Sequence, residues 1–217
     1  MSCGIEEYYY LPQIPEVNIN VQFNTNAIIE IPAISTTTFY YASGYSIFYR
    51  IYLSAEPAGS SENKSAVNPS LLEDFNFFYP YTDPSNYTLI TSANTFSSRG
   101  YFELDYIIDI DDKRLDISFS PGTPEIVLDN VSQPIKRSRD VRNNNPQVTE
   151  SFMNTAELCK NENAVSTYNA DTAPIRNAQP LFAYTAMYFV TVGMNPETFN
   201  RIYSKPTFIG VFILPNE

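Results

Sequence analysis

The 217-residue chain has no histidine, no tryptophan, only two cysteines and only seven glycines. Each absence excludes something. Without histidine, the commonest general base, the commonest metal ligand and the Ser-His and Cys-His nucleophile pairs are all missing. Cys3 and Cys159 are too few for a disulfide framework, and both are expected to be free thiols. Lys160 beside Cys159 could lower its pKa, but a thiolate without a base partner reads as a passive residue. There is no P-loop, no G-x-G-x-x-G and no zinc-ligand spacing. Ser61-Glu62-Asn63-Lys64 matches S-x-x-K, yet it sits in a polar loop with neither K-T-G nor S-D-N elsewhere. No apolar run reaches the roughly 18 residues that cross a bilayer. Met1–Glu7 has neither a basic nor an apolar signal region, so cytoplasmic synthesis or incorporation into a particle is the expectation. No cofactor and no metal site is expected.

What the chain does have is 17 tyrosines, 15 phenylalanines and 16 prolines. Tyrosine and phenylalanine at that level favour strands, while dispersed proline cuts the chain into short extended pieces and forbids long helices. The net charge of −11 repels phosphate backbones and anionic headgroups, which argues against nucleic-acid partners and membrane insertion. Its simplest reading is solubility.

The organising stretch is C-terminal. Around Phe182–Gly193, Phe182, Tyr184, Ala186, Tyr188, Val190 and Val192 share one face, and Leu181, Ala183, Thr185, Met187, Phe189 and Thr191 share the other. Both faces are largely apolar, the pattern of a strand covered on both sides. Thr207–Leu214 is expected beside it, after a break at Met194-Asn195-Pro196-Glu197. Val17–Phe23 alternates, Ala27–Ile31 returns as a second strand ending at Pro32, and Tyr45–Ser54 is another strong strand. In the last, Ile47, Tyr49, Ile51 and Leu53 point inward, with Ser46, Arg50 and Ser54 outward. Tyr101–Ile110 and Leu115–Phe119 read as a hairpin. Glu103, Asp105, Asp109, Asp111, Asp112 and Asp116 lie on its polar face or near its turn. An EF-hand is excluded because Lys113 and Arg114 stand where a ligand and glycine are needed. A looser oxygen-rich cation site and a solvated, edge-protecting acidic face both remain open.

Residues 133–180 are polar and loop-rich. Lys136, Arg137, Arg139 and Arg142 put four of the thirteen basic residues within seven positions. Asn154 followed by Glu157 fits a capping box for a short helix around Thr155–Lys160. The expected fold is all-β, an antiparallel two-sheet β-sandwich with a long polar loop and short-helix excursion before the last two strands. One domain over 1–217, an extended arm over 1–16 and the loop-rich insertion complete the organisation. Tyr49-Arg50-Ile51-Tyr52, the Tyr184–Val192 alternation and Ser204-Lys205-Pro206 before Thr207–Leu214 resemble the third strand, sixth strand and seventh-strand entry of a fibronectin type III module. The resemblance implies an immunoglobulin-like sandwich used for adhesion or spacing.

The functional expectation is a non-catalytic structural or interaction protein that assembles with copies of itself or docks on a larger particle. Its candidate interaction residues are Tyr8, Tyr9 and Tyr10 in the arm and Lys136, Arg137, Arg139 and Arg142 in the insertion, which could contact an acidic face of another copy. The alternative is a carbohydrate- or small-ligand-binding module using exposed tyrosines and loop carboxylates. A paired-carboxylate hydrolase comes third, since it needs only Asp and Glu.

Overall fold

The computed structural model describes residues 11–12, 23–24, 26–31, 34–54, 94–106, 108–112, 114–119, 124–152, 155, 158–159, 169–174 and 181–215. In chain order its strands are β1 (Phe23–Asn24), β2 (Asn26–Glu30), β3 (Ala42–Ser54), β4 (Phe102–Glu103), β5 (Ile108–Asp109) and β6 (Arg114–Ser118). They continue with β7 (Glu125–Leu128), β8 (Val131–Pro134), β9 (Thr172–Pro174), β10 (Phe182–Met194), β11 (Arg201–Tyr203) and β12 (Thr207–Ile213). The fold is all-β. A large sheet runs β1-β12-β10-β3-β4, with β11 on β10 and β5 and β9 on β3; a small sheet runs β2-β6-β7-β8.

As the alternation requires, β10 is central, with β3 and β12 antiparallel on either side. Its two faces enter two different cores. Ala183, Met187 and Phe189 join Tyr45, Ile47, Tyr49, Ile51 and Leu53 of β3, and meet Ile29, Leu115, Ile117 and Ile126 from the small sheet. Tyr184, Ala186, Tyr188, Val190 and Val192 join Phe48, Tyr52, Phe96 and Tyr101 on the far side. Each buried aromatic or branched side chain contributes about 1.5–3 kcal/mol. Phe96 stacks on Phe48 with ring centroids 3.9 Å apart, and the Tyr52 and Tyr101 hydroxyls are 3.0 Å apart. The second core corrects one expectation: the face of β3 that carries Ser46 and Ser54 is buried rather than wet, because the 96–101 segment covers it.

The expected hairpin does not form. β4 and β5 pair with β3 in the large sheet, whereas β6 pairs with β2 and β7 in the small one. The chain therefore changes sheets near Asp111, and the apolar faces of both halves still meet in the shared core. Gly44 permits the close approach of β5. Its φ is +153°, and a Cβ there would lie 2.4 Å from the Ile108 carbonyl oxygen. Opposite Val192 and Gly193, β3 carries one extra residue, Ser43, whose hydroxyl donates to the Val192 carbonyl at 3.2 Å.

β7 and β8 form a tight hairpin whose two turn residues, Asp129 and Asn130, have φ of 45° and 72°. Two-residue hairpin loops favour positive φ at both positions, and Asp and Asn tolerate it. Among the described residues two short pairings are parallel, β1 with β12 and β9 with β3. β9 comes from the polar insertion, which also holds a short helix, Arg139–Asn144, capped by Ser138. Thr155, Leu158 and Cys159 are helical, where the capping-box pattern places a helix. The expected loop at 55–69, helical turn at Leu71–Phe78, strand at Tyr87–Thr91 and most of the strand Val17–Phe23 lie outside the described residues.

Candidate functional site

The basic segment is built into the body. After Pro134 ends β8, the Ile135 N–H donates to the Pro124 carbonyl at 2.9 Å, and the Arg137 N–H donates to the Glu150 carbonyl at 2.6 Å. These bonds aim the Arg137 side chain at the large sheet, where it is 1 % exposed. Its Nε donates to Asp171 Oδ2 at 2.8 Å and a terminal nitrogen donates to Asp171 Oδ1 at 2.5 Å. Asp171 has no exposure. Its Oδ2 also accepts from the Tyr49 hydroxyl at 2.7 Å, and Oδ1 accepts from Thr172 Oγ1 at 3.2 Å. The Tyr49 oxygen in turn accepts the Ser138 N–H at 3.0 Å. The Asp171 carbonyl accepts the Ile51 N–H at 2.8 Å, which fixes the start of β9 beside β3.

Bidentate geometry and extra donors are what a buried ion pair needs to offset its desolvation. Burial, with the Asp171 charge next in weight, raises the Tyr49 pKa well above its usual value, so its hydroxyl stays a donor. The network joins the insertion to β3. Its charges are compensated and out of solvent, and it clamps the two segments together.

Of the other basic candidates, Arg142 bonds Asp105 and pairs with Glu150 at 3.0 Å. Lys136 lies 3.9 Å from Glu150, and Arg139 is exposed in the first turn of the helix. Lys136, Arg137 and Arg142 thus each lie within ion-pair distance of a carboxylate of the same chain. Tyr8, Tyr9 and Tyr10 lie outside the described residues. The acidic residues are divided too. Glu103 takes two hydrogen bonds from Arg201, at 2.8 and 2.6 Å, and one from Ser46. Asp116 pairs with Arg114 at 2.9 Å. Asp112 Oδ2 accepts the Asp109 N–H at 2.6 Å. Burial raises the Asp112 pKa, the Asp109 N–H pulls it down, and the charges of Asp129, Asp109 and Asp111 push it up. Among the described residues no group of three or more His, Cys, Asp or Glu could hold a metal ion. Burial also raises the Cys159 thiol pKa, opposite to the activation that a neighbouring lysine would give.

A different surface was not legible as a site. At the end of the sheet where β10 turns into β11, Asn195 Oδ1 accepts the N–H groups of Glu197 and Thr198, and the Phe199 N–H donates to the Asn195 carbonyl at 2.9 Å. This turn holds Phe199 at φ 57° and leaves it 74 % exposed. The Met194 N–H donates to the Tyr41 carbonyl at 2.9 Å, which brings the end of β10 against the start of β3. Met194 is 51 % exposed there and Tyr40 67 %. The same end receives the arm, since Thr191 Oγ1 donates to the Pro12 carbonyl at 2.8 Å and buried Leu11 approaches Gly193. The one sequence signal was an aromatic residue closing an otherwise polar turn.

No protein-family model, no curated protein and no solved structure matches the chain. Among the described residues no helix is long and apolar enough to cross a membrane.

Proposed function

We propose that the chain is a non-catalytic structural or interaction protein, a β-sandwich subunit that assembles with copies of itself or docks on a larger particle. The observation that carries this reading is Phe199. A large aromatic side chain left three-quarters exposed is a poor use of apolar surface on an acidic body. Holding it in the left-handed region costs about 1 kcal/mol besides. Strain and exposure together fit a residue retained for a contact outside its own chain. Tyr40 and Met194 are also exposed at this end of the sheet.

The ion pairs favour the same class. Arg137, Arg142 and Arg201 each bind a carboxylate of the scaffold. A fibronectin type III-like relationship is part of the proposal. Its supporting observation is that the three segments carrying the resemblance lie side by side, in the order β12-β10-β3, as the third, sixth and seventh strands of such sandwiches do.

Light scattering of the full chain, of a form lacking residues 1–16 and of Phe199→Ser tests the reading. Self-association in the full chain that weakens in Phe199→Ser supports it. Monomers at every concentration, in both the full and the shortened chain, count against self-assembly.

A further inference from the structure

The two edges of the small sheet are unlike. β8 ends in Pro134, which has no N–H to offer a new strand, and all four of its residues are exposed. The other edge, β2, is Asn26-Ala27-Ile28-Ile29-Glu30 with no proline inside it. Among the described residues β2 pairs with β6 alone, so the main-chain groups on its outer edge have no partner there. Its outward-facing residues are Asn26, Ile28 and Glu30, all exposed, and Ile28 is 53 % exposed. The Ile28 neighbour across the ladder is Asp116, and the face it shares otherwise carries Arg114, Ser118, Glu125, Val127, Ser132 and Pro134. An isoleucine more than half exposed at the middle of an open edge, on a mainly polar face, leaves most of its apolar surface unburied.

We infer that β2 pairs antiparallel with β2 of a second copy of this chain, about a two-fold axis at Ile28, joining two small sheets into one. The inference deepens the assembly reading above and rests on it. The strand's own sequence selects this occupant. With the axis at Ile28, Ile28 faces Ile28, Ala27 faces Ile29 and Asn26 faces Glu30. Apolar residues thus meet apolar ones, and no two like charges are opposed on a chain of net charge −11. A parallel arrangement would set Glu30 beside Glu30. Each Glu30 keeps its contact with Arg114, 3.9 Å away on β6. A two-fold contact of this kind uses one patch twice and closes at the dimer, so it does not propagate into fibres.

The test is sedimentation or light scattering of the full chain across a concentration series, with circular dichroism as the control for folding. The unmodified chain is expected to dimerise through this edge, and Ile28→Lys to halve the mass of that species. That outcome is diagnostic, because the substitution lowers the net negative charge and would otherwise favour association. An equimolar mixture of Ile28→Lys and Ile28→Glu restores the dimer. Asn26→Asp, which leaves the apolar residues untouched, weakens it several-fold by opposing Glu30. Should Ile28→Lys associate as the unmodified chain does, the edge is overturned while assembly through another surface stands. A chain that remains monomeric throughout overturns the edge pairing and self-assembly alike.

Discussion

Arg137 and Asp171, 34 positions apart, form a bidentate ion pair in which neither side chain is more than 1 % exposed. Removing one partner leaves the other charge buried and alone. Arg137→Met is therefore expected to cost about 3–5 kcal/mol, read from urea unfolding. The double substitution Arg137→Met with Asp171→Leu removes both charges and is expected to be less destabilised than either single variant. If the two costs simply add, the pair does not act as a unit.

The tyrosines of the shared core give the fold an alkaline limit. Burial, and then the charge of Asp112, raises the Tyr45 pKa from 10.0 to about 12, and Tyr49 is raised well above 10.0 by burial first. Both are protonated in the fold at pH values where the unfolded chain has lost those protons. The stabilisation is complete below the unfolded value and is lost as the pH rises through the folded one. Stability should thus fall between pH 10 and about 12. Tyr45→Phe should flatten part of that decline. Urea midpoints across the alkaline range check this; an unchanged slope in Tyr45→Phe would contradict it.

The two-residue alternation made the central sheet legible, because β10 shows apolar residues on both faces and only a strand between two cores needs that. It did not reveal the second core over β3. Ser46, Arg50 and Ser54 look like a wet face, and the cover comes from Phe96 and Tyr101, half a hundred positions away or nearly so. The expected hairpin failed for a related reason. Alternation in 102–110 and 115–119 is satisfied equally by pairing with each other or by facing one core from two sheets. Nor could local sequence show Arg137 leaving its basic neighbours to become buried. That depends on an aspartate in a segment read as loop. Phe199 was hidden because exposure at a turn has no periodic signature.

Gly193 shows how tightly the chain ends are fitted to the sheet. A Cβ there would lie 2.5 Å from the Tyr41 carbonyl oxygen, 3.1 Å from Leu11 Cδ2 and 3.2 Å from Ala42 Cα. Gly193→Ala is expected to destabilise by about 1–3 kcal/mol, since two of the three contacts are backbone that must move. Shortening the flexible neighbour should not relieve it. Gly193→Ala in a Leu11→Ala background should stay at least as unstable as Gly193→Ala alone in thermal unfolding. A rescue would place the conflict with the arm rather than with β3.

Phe199 offers the sharpest separation of stability from association. At φ 57° glycine is favoured, so Phe199→Gly relieves strain and is expected to stabilise the isolated chain by about 1 kcal/mol. The ring is exposed, so little packing within the chain is lost in exchange. If the residue serves an external contact, the same substitution weakens association, giving a more stable chain that assembles less well. Urea unfolding and light scattering on the same preparation measure both. No gain in stability would mean that the ring offsets its strain inside the chain. A gain with unchanged association would remove this end of the sheet from the interface.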